Sequence, residues 1–289
     1  MKSVSESNFF STNKTLNIRG RLVDLNMPKV MGILNVTPDS FYDGNRYTTE
    51  TAIASKVEKM IVEGATFIDV GAYSSRPGAD DVSQDEELKK SVEAIQIIVK
   101  NFPDTLISID TFRSEVARVA IHEGASMVND ISGGVDQNMF QMVAKLKVPY
   151  ILMHMRGNPK TMSGQTDYAD LLRDIVDYFH VRISCLQHLG VQDIIIDPGF
   201  GFAKTVQQNF ELLNHLDHFT ILGRPLLAGL SRKSMIWKSL LTKPESALNG
   251  TTSLNTIALM KGVSLLRVHD VKEAVEAVKL VSLMKGNAA

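Results

Sequence analysis

Cysteine is almost missing from this chain of 289 residues. Cys185 is its one thiol, so no internal disulfide can form and no thiolate pair exists to hold a zinc ion. That usage fits a reducing compartment. An excess of either charge is also missing, with 31 Lys and Arg against 32 Asp and Glu and a formal net charge of −1. Without a global basic field the chain has no long-range pull on nucleic acid or an anionic membrane, although a local anion site stays open. The opening MKSVSESNFFSTNK lacks the apolar stretch of a secretory signal, and no run of about 18 apolar residues occurs anywhere. The expectation is a soluble, cytoplasmic protein. Three signatures are lacking as well: GxGxxG, the GxxxxGK[ST] phosphate loop and HExxH. Their absence counts against dinucleotide, mononucleotide and zinc-hydrolase chemistry.

What is present is a repeat. Eight short apolar runs, at 30–35, 66–71, 105–110, 125–130, 149–154, 193–197, 225–229 and 264–269, are bounded by turn residues and suit strands buried on both faces. Helical patterns lie between them, such as Leu88, Val92, Ile95 and Val99 behind a capping box of Ser83 and Glu86. A further start falls at Asp270, with Glu273 three residues on. Shared over eight units, 289 residues allow about 36 each, enough for a strand, a helix and two short loops. Glu63-Gly64-Ala65 and Glu123-Gly124-Ala125 close one helix and open one strand in the same way, the glycine serving as C-cap. These features predict an α/β fold, a single (β/α)8 TIM barrel of parallel strands with its active site at the C-terminal rim. The barrel is expected over residues 15–289, after a flexible N-terminal segment at 1–14. A two-domain doubly wound fold is the alternative, and no linker supports it.

The strands end in polar residues: Asn35, Asp69, Asp110, Asn129 with Asp130, His154, Asp197, and Arg267 with His269. Barrel strands bring their C-terminal ends to one rim, so these groups are expected to converge on a pocket. Unpaired carboxylates in an apolar barrel mouth are costly, so Asp69, Asp110 and Asp197 need partners. The N–H edge of a pterin would supply them, with Asn129 donating back to its carbonyl and Met153 and Ile131 flanking the ring. Other nitrogen heterocycles fit the same positions, and Met153 and Ile131 also read as plain core.

The loops carry further chemistry. Asn35-Val36-Thr37-Pro38-Asp39-Ser40-Phe41-Tyr42-Asp43-Gly44 offers oxygens to a hard cation such as Mg2+, and is equally a set of turn formers. Tyr73-Ser74-Ser75-Arg76-Pro77-Gly78-Ala79 holds one arginine suited to a phosphate or carboxylate, or to plain solvation. Asp197-Pro198-Gly199-Phe200-Gly201-Phe202-Ala203-Lys204 has two aromatics that can pack on a flat ring or close the barrel mouth. Gly229-Leu230-Ser231-Arg232-Lys233-Ser234 sets two cations and two hydroxyls at a helix start, where barrels commonly bind phosphate. Arg267 and His269 alternate along one strand and so point the same way, which favours an anion clamp over two surface residues. Cys185 reads as a buried or half-buried spectator, and His122, His180, His188, His215 and His218 have no metal-like spacing.

Together the motifs Asn35-Val36-Thr37-Pro38-Asp39-Ser40-Phe41, Ser75-Arg76-Pro77-Gly78-Ala79, Asp197-Pro198-Gly199-Phe200-Gly201-Phe202, Ser231-Arg232-Lys233-Ser234 and Arg267-Val268-His269 resemble those of the dihydropteroate synthases, a pterin-binding barrel family, in order and spacing. The resemblance runs from about residue 15 to the C-terminus. It implies a transferase that condenses 6-hydroxymethyl-7,8-dihydropterin diphosphate with p-aminobenzoate, giving 7,8-dihydropteroate and diphosphate for folate synthesis. The pterin would be held by Asp110, Asn129, Ile131, Met153, Asp197, Gly229 and Lys233. Diphosphate would lie on Asn35, Arg76, Arg267 and His269, with Mg2+ at Asn35 and Asp43. Aminobenzoate, and sulfonamides that mimic it, would sit against Ser75, Arg76, Pro77, Phe202, Lys233 and Ser234. Asp69, Asp110, Lys233, Arg267 and His269 would carry the catalysis, through ionisation of the carbon–oxygen bond before the amine attacks. The resemblance also implies a homodimer through the late helices and no nucleic-acid or membrane partner. One departure stands out. Where the family often has Gly-Glu-Ser-Thr, this chain has Ala72-Tyr73-Ser74-Ser75, which affects the fit to aminobenzoate rather than the reaction. A corrinoid-dependent methyltransferase of similar pterin pocket, and a catalytically silent pterin-binding module, are the competing readings. Arg76, Lys233, Arg267 and His269 together argue against the first, and the intact first two loops against the second.

Overall fold

The computed structural model describes residues 13–36, 46–73 and 81–286. An antiparallel hairpin comes first, β1 (Thr15–Ile18) and β2 (Arg21–Asp24), turned by Arg19 and Gly20 at positive φ. Leu16 and Ile18 alternate with exposed residues and drop into the base of the barrel beside Met31, Phe67 and Met127. The hairpin therefore closes the lower mouth. Its strands of four residues are too short and too polar to stand out by pattern.

Eight parallel strands follow: β3 (Lys29–Asn35), β4 (Phe67–Gly71), β5 (Leu106–Asp110), β6 (Met127–Asp130), β7 (Tyr150–Met153), β8 (Ile194–Asp197), β9 (Leu227–Ala228) and β10 (Leu265–Val268). They pair in the order β8-β7-β6-β5-β4-β3-β10-β9, and a parallel bridge between Ile196 and Leu226 joins the two ends of the sheet. Each expected run holds one strand. Helices fill the intervals: α1 (Arg46–Val62), α2 (Gln84–Asn101), α3 (Ser114–Glu123), α4 (Met139–Leu146), α5 (Leu171–His188), α6 (Val206–Asn214), α7 (Ser234–Ser239), α8 (Leu248–Met260) and α9 (Val271–Met284). The barrel is thus as the repeat predicts.

Local signals behave unevenly. Ser83 caps α2 by accepting from the Glu86 N–H at 3.2 Å, but the Glu86 carboxylate turns to Lys90 at 2.6 Å, so only half of the expected capping box forms. Asp270 makes no cap bond to α9, because Arg232 takes its carboxylate. The reciprocal box belongs to Thr205 and Gln208 at the start of α6. Gly64 and Gly124 both take the positive φ expected of them, and at Gly124 a Cβ would lie 2.6 Å from Val99. Cys185 is exposed, a correction that follows from its position two residues past the buried Ile183 on α5.

Strand alternation sorts side chains into two cores. Val30, Leu34, Ile68, Val70, Ile107, Val128, Leu152 and Ile196 face the helices, while Met31, Phe67, Met127, Ile151, Ile195, Leu227 and Leu265 fill the barrel floor. The same alternation corrects one expectation. Asp130 and His154 follow inward residues directly, so they point out toward the helices, away from the pocket. Asp130 is fully buried there, accepting from Tyr150 Oη at 2.6 Å, from Ser132 N and Oγ, and from Gly134 N. Burial raises its pKa and these four bonds oppose the rise. Tyr150→Phe removes one donor from a buried carboxylate and is expected to cost about 1–3 kcal/mol. Urea unfolding should show a lower midpoint at unchanged slope.

Candidate active site

Above the apolar floor, the next inward positions change character. Asp69 of β4, Asn129 of β6, Asp197 of β8 and Arg267 of β10 all stand one alternation above floor residues, and Asn35, Asp110, Ile131 and His269 stand one higher. The register sets Asp69 opposite Ser108 and Asp110 opposite both Gly71 and Asn129. At Gly71 a Cβ would meet the Asp110 Cβ at 3.3 Å and its Oδ2 at 3.4 Å, so the glycine makes room for that carboxylate.

Arg267 is the centre of the cluster. Its Nε donates to Asp69 Oδ2 at 2.6 Å and its Nη2 to Asp110 Oδ2 at 2.5 Å. Asn129 Nδ2 donates to the same Asp69 oxygen at 3.0 Å, while the buried Asp69 Oδ1 makes no hydrogen bond within the protein. Burial pushes the Asp110 carboxyl up to about 7 against the pull of Arg267. For Arg267 itself burial works to lower the pKa, but Asp69 and Asp110 outweigh it and hold the guanidinium firmly charged. Asp197, buried on the far side, is raised by burial, with the Gly199 N–H, Lys233 and Arg267 opposing. Gly229 lies beside this carboxylate, where a Cβ would stand at an ordinary contact distance of 4.0 Å from Asp197 Oδ2. Burial lowers Lys233 to about 8, with Asp197 opposing.

An apolar shelf borders these charges. Ile131, Met153, Met155, Met162, Phe202 and Ala203 form a cluster of their own, with Phe112 packed against it. Lys233 Nζ sits 4.0 Å from the centre of the Phe202 ring, a cation–π contact. The two loop aromatics part company here, since Phe202 joins the shelf and Phe200 is buried in the main core. A flat ring between the shelf and the acidic layer would find carboxylate and amide partners at its edge and methionine at its face.

The SRKS run divides as well. Ser231 Oγ lies 3.0 Å from His269 Nδ1 and accepts from the His269 N–H, fixing that exposed residue at the rim. Lys233 is the N-cap residue of α7, and Ser234, half-buried, is the first residue of that helix. Arg232 turns away, at φ +55, onto the Asp270 carboxylate at 2.7 and 3.0 Å and the carbonyls of Pro244 and Glu245. Only one of the two cations therefore serves the pocket. Asn35 is half-buried at the end of β3. Asp43, Ser75, Arg76 and Pro77 lie outside the described residues.

Several neighbours escape the sequence reading. Glu87, buried on α2, holds Thr111 Oγ1 and Arg113 Nη1 at 2.5 Å each, and Arg113 also donates to Val82 O. The Arg113 guanidinium lies 5.1 Å from the Phe112 ring centre and 5.6 Å from that of Tyr73, so the tyrosine of the departing loop packs on the loop after β5. Phe112, two residues past Asp110, could have been found by continuing the alternation beyond the strand. Met155 could have been found in the same way past Met153. Glu87 carries no sequence signal, because nothing separates it from the exposed acids around it.

Residues 31–269 match the family model for pterin binding enzymes. Dihydropteroate synthase of Escherichia coli K12 is 42% identical over 265 residues, spanning 91% of this chain and 94% of its own. The structure of Xanthomonas albilineans dihydropteroate synthase with 4-aminobenzoic acid superposes with a TM-score of 0.87 at 38% identity, covering 95% of this chain and 99% of that one. That enzyme in complex with 7,8-dihydropteroate gives a TM-score of 0.84 at 35% identity, covering 94% and 98%. On this match of sequence, fold and pocket, the chain belongs to the pterin binding enzymes, as one of the dihydropteroate synthases.

Proposed function

We propose that the chain condenses 6-hydroxymethyl-7,8-dihydropterin diphosphate with p-aminobenzoate, releasing diphosphate and forming 7,8-dihydropteroate by a dissociative route. The observation that carries this reading is the Arg267 guanidinium bridging Asp69 and Asp110 beside an apolar shelf. The pterin edge would meet Asp110, Asn129, Asp197 and Lys233, with Met153 and Ile131 at its face and Gly229 beside Asp197. The carbon–oxygen bond breaks with its electron pair leaving on diphosphate. The carbocation that remains is conjugated with the dihydropterin and lies near the negative Asp69 and Asp110. The aminobenzoate nitrogen then forms the new bond and loses a proton. No covalent nucleophile is needed, so order and electrostatics supply the catalysis. Phe202, Lys233 and Ser234 would border aminobenzoate, together with Ser75, Arg76 and Pro77, and the bound ligands of the Xanthomonas enzyme support both ends of this reaction.

Diphosphate is assigned to Asn35, Arg76, Arg267 and His269. A hard cation suits this edge of the pocket. Among the described residues no group of three or more His, Cys, Asp or Glu gathers into a protein cage, but Mg2+ shared with a phosphate substrate needs only one or two protein oxygens. The Asn35 amide oxygen fits that donor set, and Asn35 with Asp43 would hold the ion. Bound there, Mg2+ would take up charge developing on the leaving diphosphate.

Homodimerisation is proposed through α8 and α9, which pack together and leave Ile257, Met260, Leu280, Leu283 and Met284 exposed. No described helix is long and apolar enough to cross a membrane. The reading sets the enzyme in the cytoplasm, with small-molecule substrates and no nucleic-acid partner.

Three experiments test these proposals. Mixing the purified chain with dihydropterin diphosphate, Mg2+ and p-aminobenzoate should release diphosphate and yield dihydropteroate only when all three are present. Tight pterin binding without release would indicate the silent module instead. His269→Ala should raise the KM for the diphosphate substrate about tenfold at an unchanged melting temperature, and Arg267→Ala should lower kcat/KM by about 100-fold or more. Arg267→Ala should also cost about 3–5 kcal/mol of stability, since it leaves the buried Asp69 and the half-buried Asp110 without their cation; wild-type kinetics in either variant would remove the clamp. Sedimentation should show a dimer that Leu283→Glu dissociates, and a stable wild-type monomer would exclude it.

A further inference from the structure

Beneath the pocket lies a buried cation that the reaction as described leaves unused. Lys204 ends the turn after β8, and its Nζ donates to the carbonyls of Gly199 and Phe202 at 3.1 Å each, with His154 Nδ1 also at 3.1 Å. An ammonium has three N–H bonds and no lone pair, so these three acceptors match it in full. His154 is buried among the rings of Tyr178, Tyr168 and Phe179, and burial together with the charge of Lys204 pulls its pKa down to about 2. Its imidazole is therefore neutral, with Nδ1 free to accept and the proton on Nε2.

The turn held by Lys204 is the one that builds the pocket wall. Gly199 takes φ +73, and any Cβ there would strike His154 O at 2.1 Å. Its N–H donates to Asp197 Oδ1 at 2.8 Å. Gly201 donates to Asn209 Oδ1, Tyr168 Oη donates to Ala203 O, and Ala203 itself holds a left-handed φ of +48. Phe202 stands on this turn and carries Lys233 over its face. Lys204 thus touches both ends of the segment that positions Asp197 and Phe202, from the side opposite the pocket.

We propose that Lys204 is a positioning residue for the condensation, locking the Gly199–Phe202 turn and keeping the Asp197 carboxylate ionised from the protein side. The proposal rests on Asp197 being a pterin ligand. Charge is what distinguishes Lys204 from a structural filler. Asp197 is pushed toward its neutral form by burial, and the groups that oppose this are the Gly199 N–H, Lys233, Arg267 and Lys204. Lys233 and Arg267 also face the ligand and are drawn upon by it, whereas Lys204 faces only the protein. The groups acting on Lys204 in turn are Asp197, which favours its charge, and Lys233 and Arg156, which oppose it, while burial lowers its pKa to about 7. The cation is therefore present below neutrality, where Asp197 needs it most.

Removing the cation raises the Asp197 pKa, so the pH below which the carboxylate protonates and ceases to accept a pterin N–H moves upward. Calorimetric titration of 6-hydroxymethylpterin into wild type and Lys204→Met, between about pH 5.5 and pH 7.5, reads this directly. The variant should bind about tenfold more weakly near the acid end, with the gap closing toward the alkaline end, as an acid limb moved to higher pH requires. A folded variant whose affinity runs parallel to wild type at every pH, equal or uniformly lower, overturns the inference, because slack in the turn alone has no pH signature. Should Lys204→Met fail to melt cooperatively, lysine 15Nζ NMR of the wild type decides. An ammonium resonance protected from exchange near pH 6 supports the locked cation, and its absence overturns it. Wild-type protein that does not bind the pterin removes the reading of the pocket and this inference with it, whereas the parallel profile removes the inference alone.

Discussion

One guanidinium holds the centre of this molecule. Arg267 reaches from β10 to the buried Asp69 on β4 and the half-buried Asp110 on β5, joining three strands that are separate in sequence. Two carboxylates so close would repel each other, and one would take up a proton if they were left alone. With Arg267 between them they remain together at the top of an apolar floor. The floor in turn depends on the hairpin, since Leu16 and Ile18 close the base of the barrel on which this charged layer stands.

Around that bridge the pocket balances charge by sign rather than by excess. Asp69, Asp110 and Asp197 are met by Arg267, Lys233 and Lys204, all within one rim of a chain whose formal net charge is −1. The balance is asymmetric in position. Lys233 shares its cation with the Phe202 ring and the pocket, and Lys204 is locked to the turn below. A pterin bringing N–H donors finds carboxylate and amide acceptors already in position, and a leaving diphosphate finds a cation already in place. Such a layer reorganises little during reaction, which is the property electrostatic catalysis requires.

Much of this was legible in the sequence. Eight apolar runs gave eight strands because parallel strands buried on both faces must be apolar throughout, and the residue ending each run is the first that can reach the rim. Asp69, Asp110, Asn129, Asp197 and Arg267 were therefore found by position alone. Where reading by position faltered, alternation was the reason. Asp130 and His154 also end their apolar runs, yet each lies one residue past an inward one and so faces the helices, where Tyr150 and Lys204 satisfy them. Arg232 and Lys233 are neighbours of like charge, and a left-handed φ at Arg232 sends it to Asp270 while Lys233 faces the pocket. Capping followed the same course, since Asp270 and Glu86 each had a stronger partner than the backbone N–H within reach.

By itself the sequence determined the barrel, the rim and the set of polar residues upon it, because these follow from periodicity, and periodicity is local. It also determined the family, through five loop motifs in order. Tertiary structure alone decided who pairs with whom. That Arg267 would bridge Asp69 and Asp110, that Glu87 would lie buried under Arg113, and that Lys204 would find His154 fifty residues away are contacts between separate βα units. Their energies depend on burial and on distances of about 3 Å, and neither quantity exists until the barrel has closed.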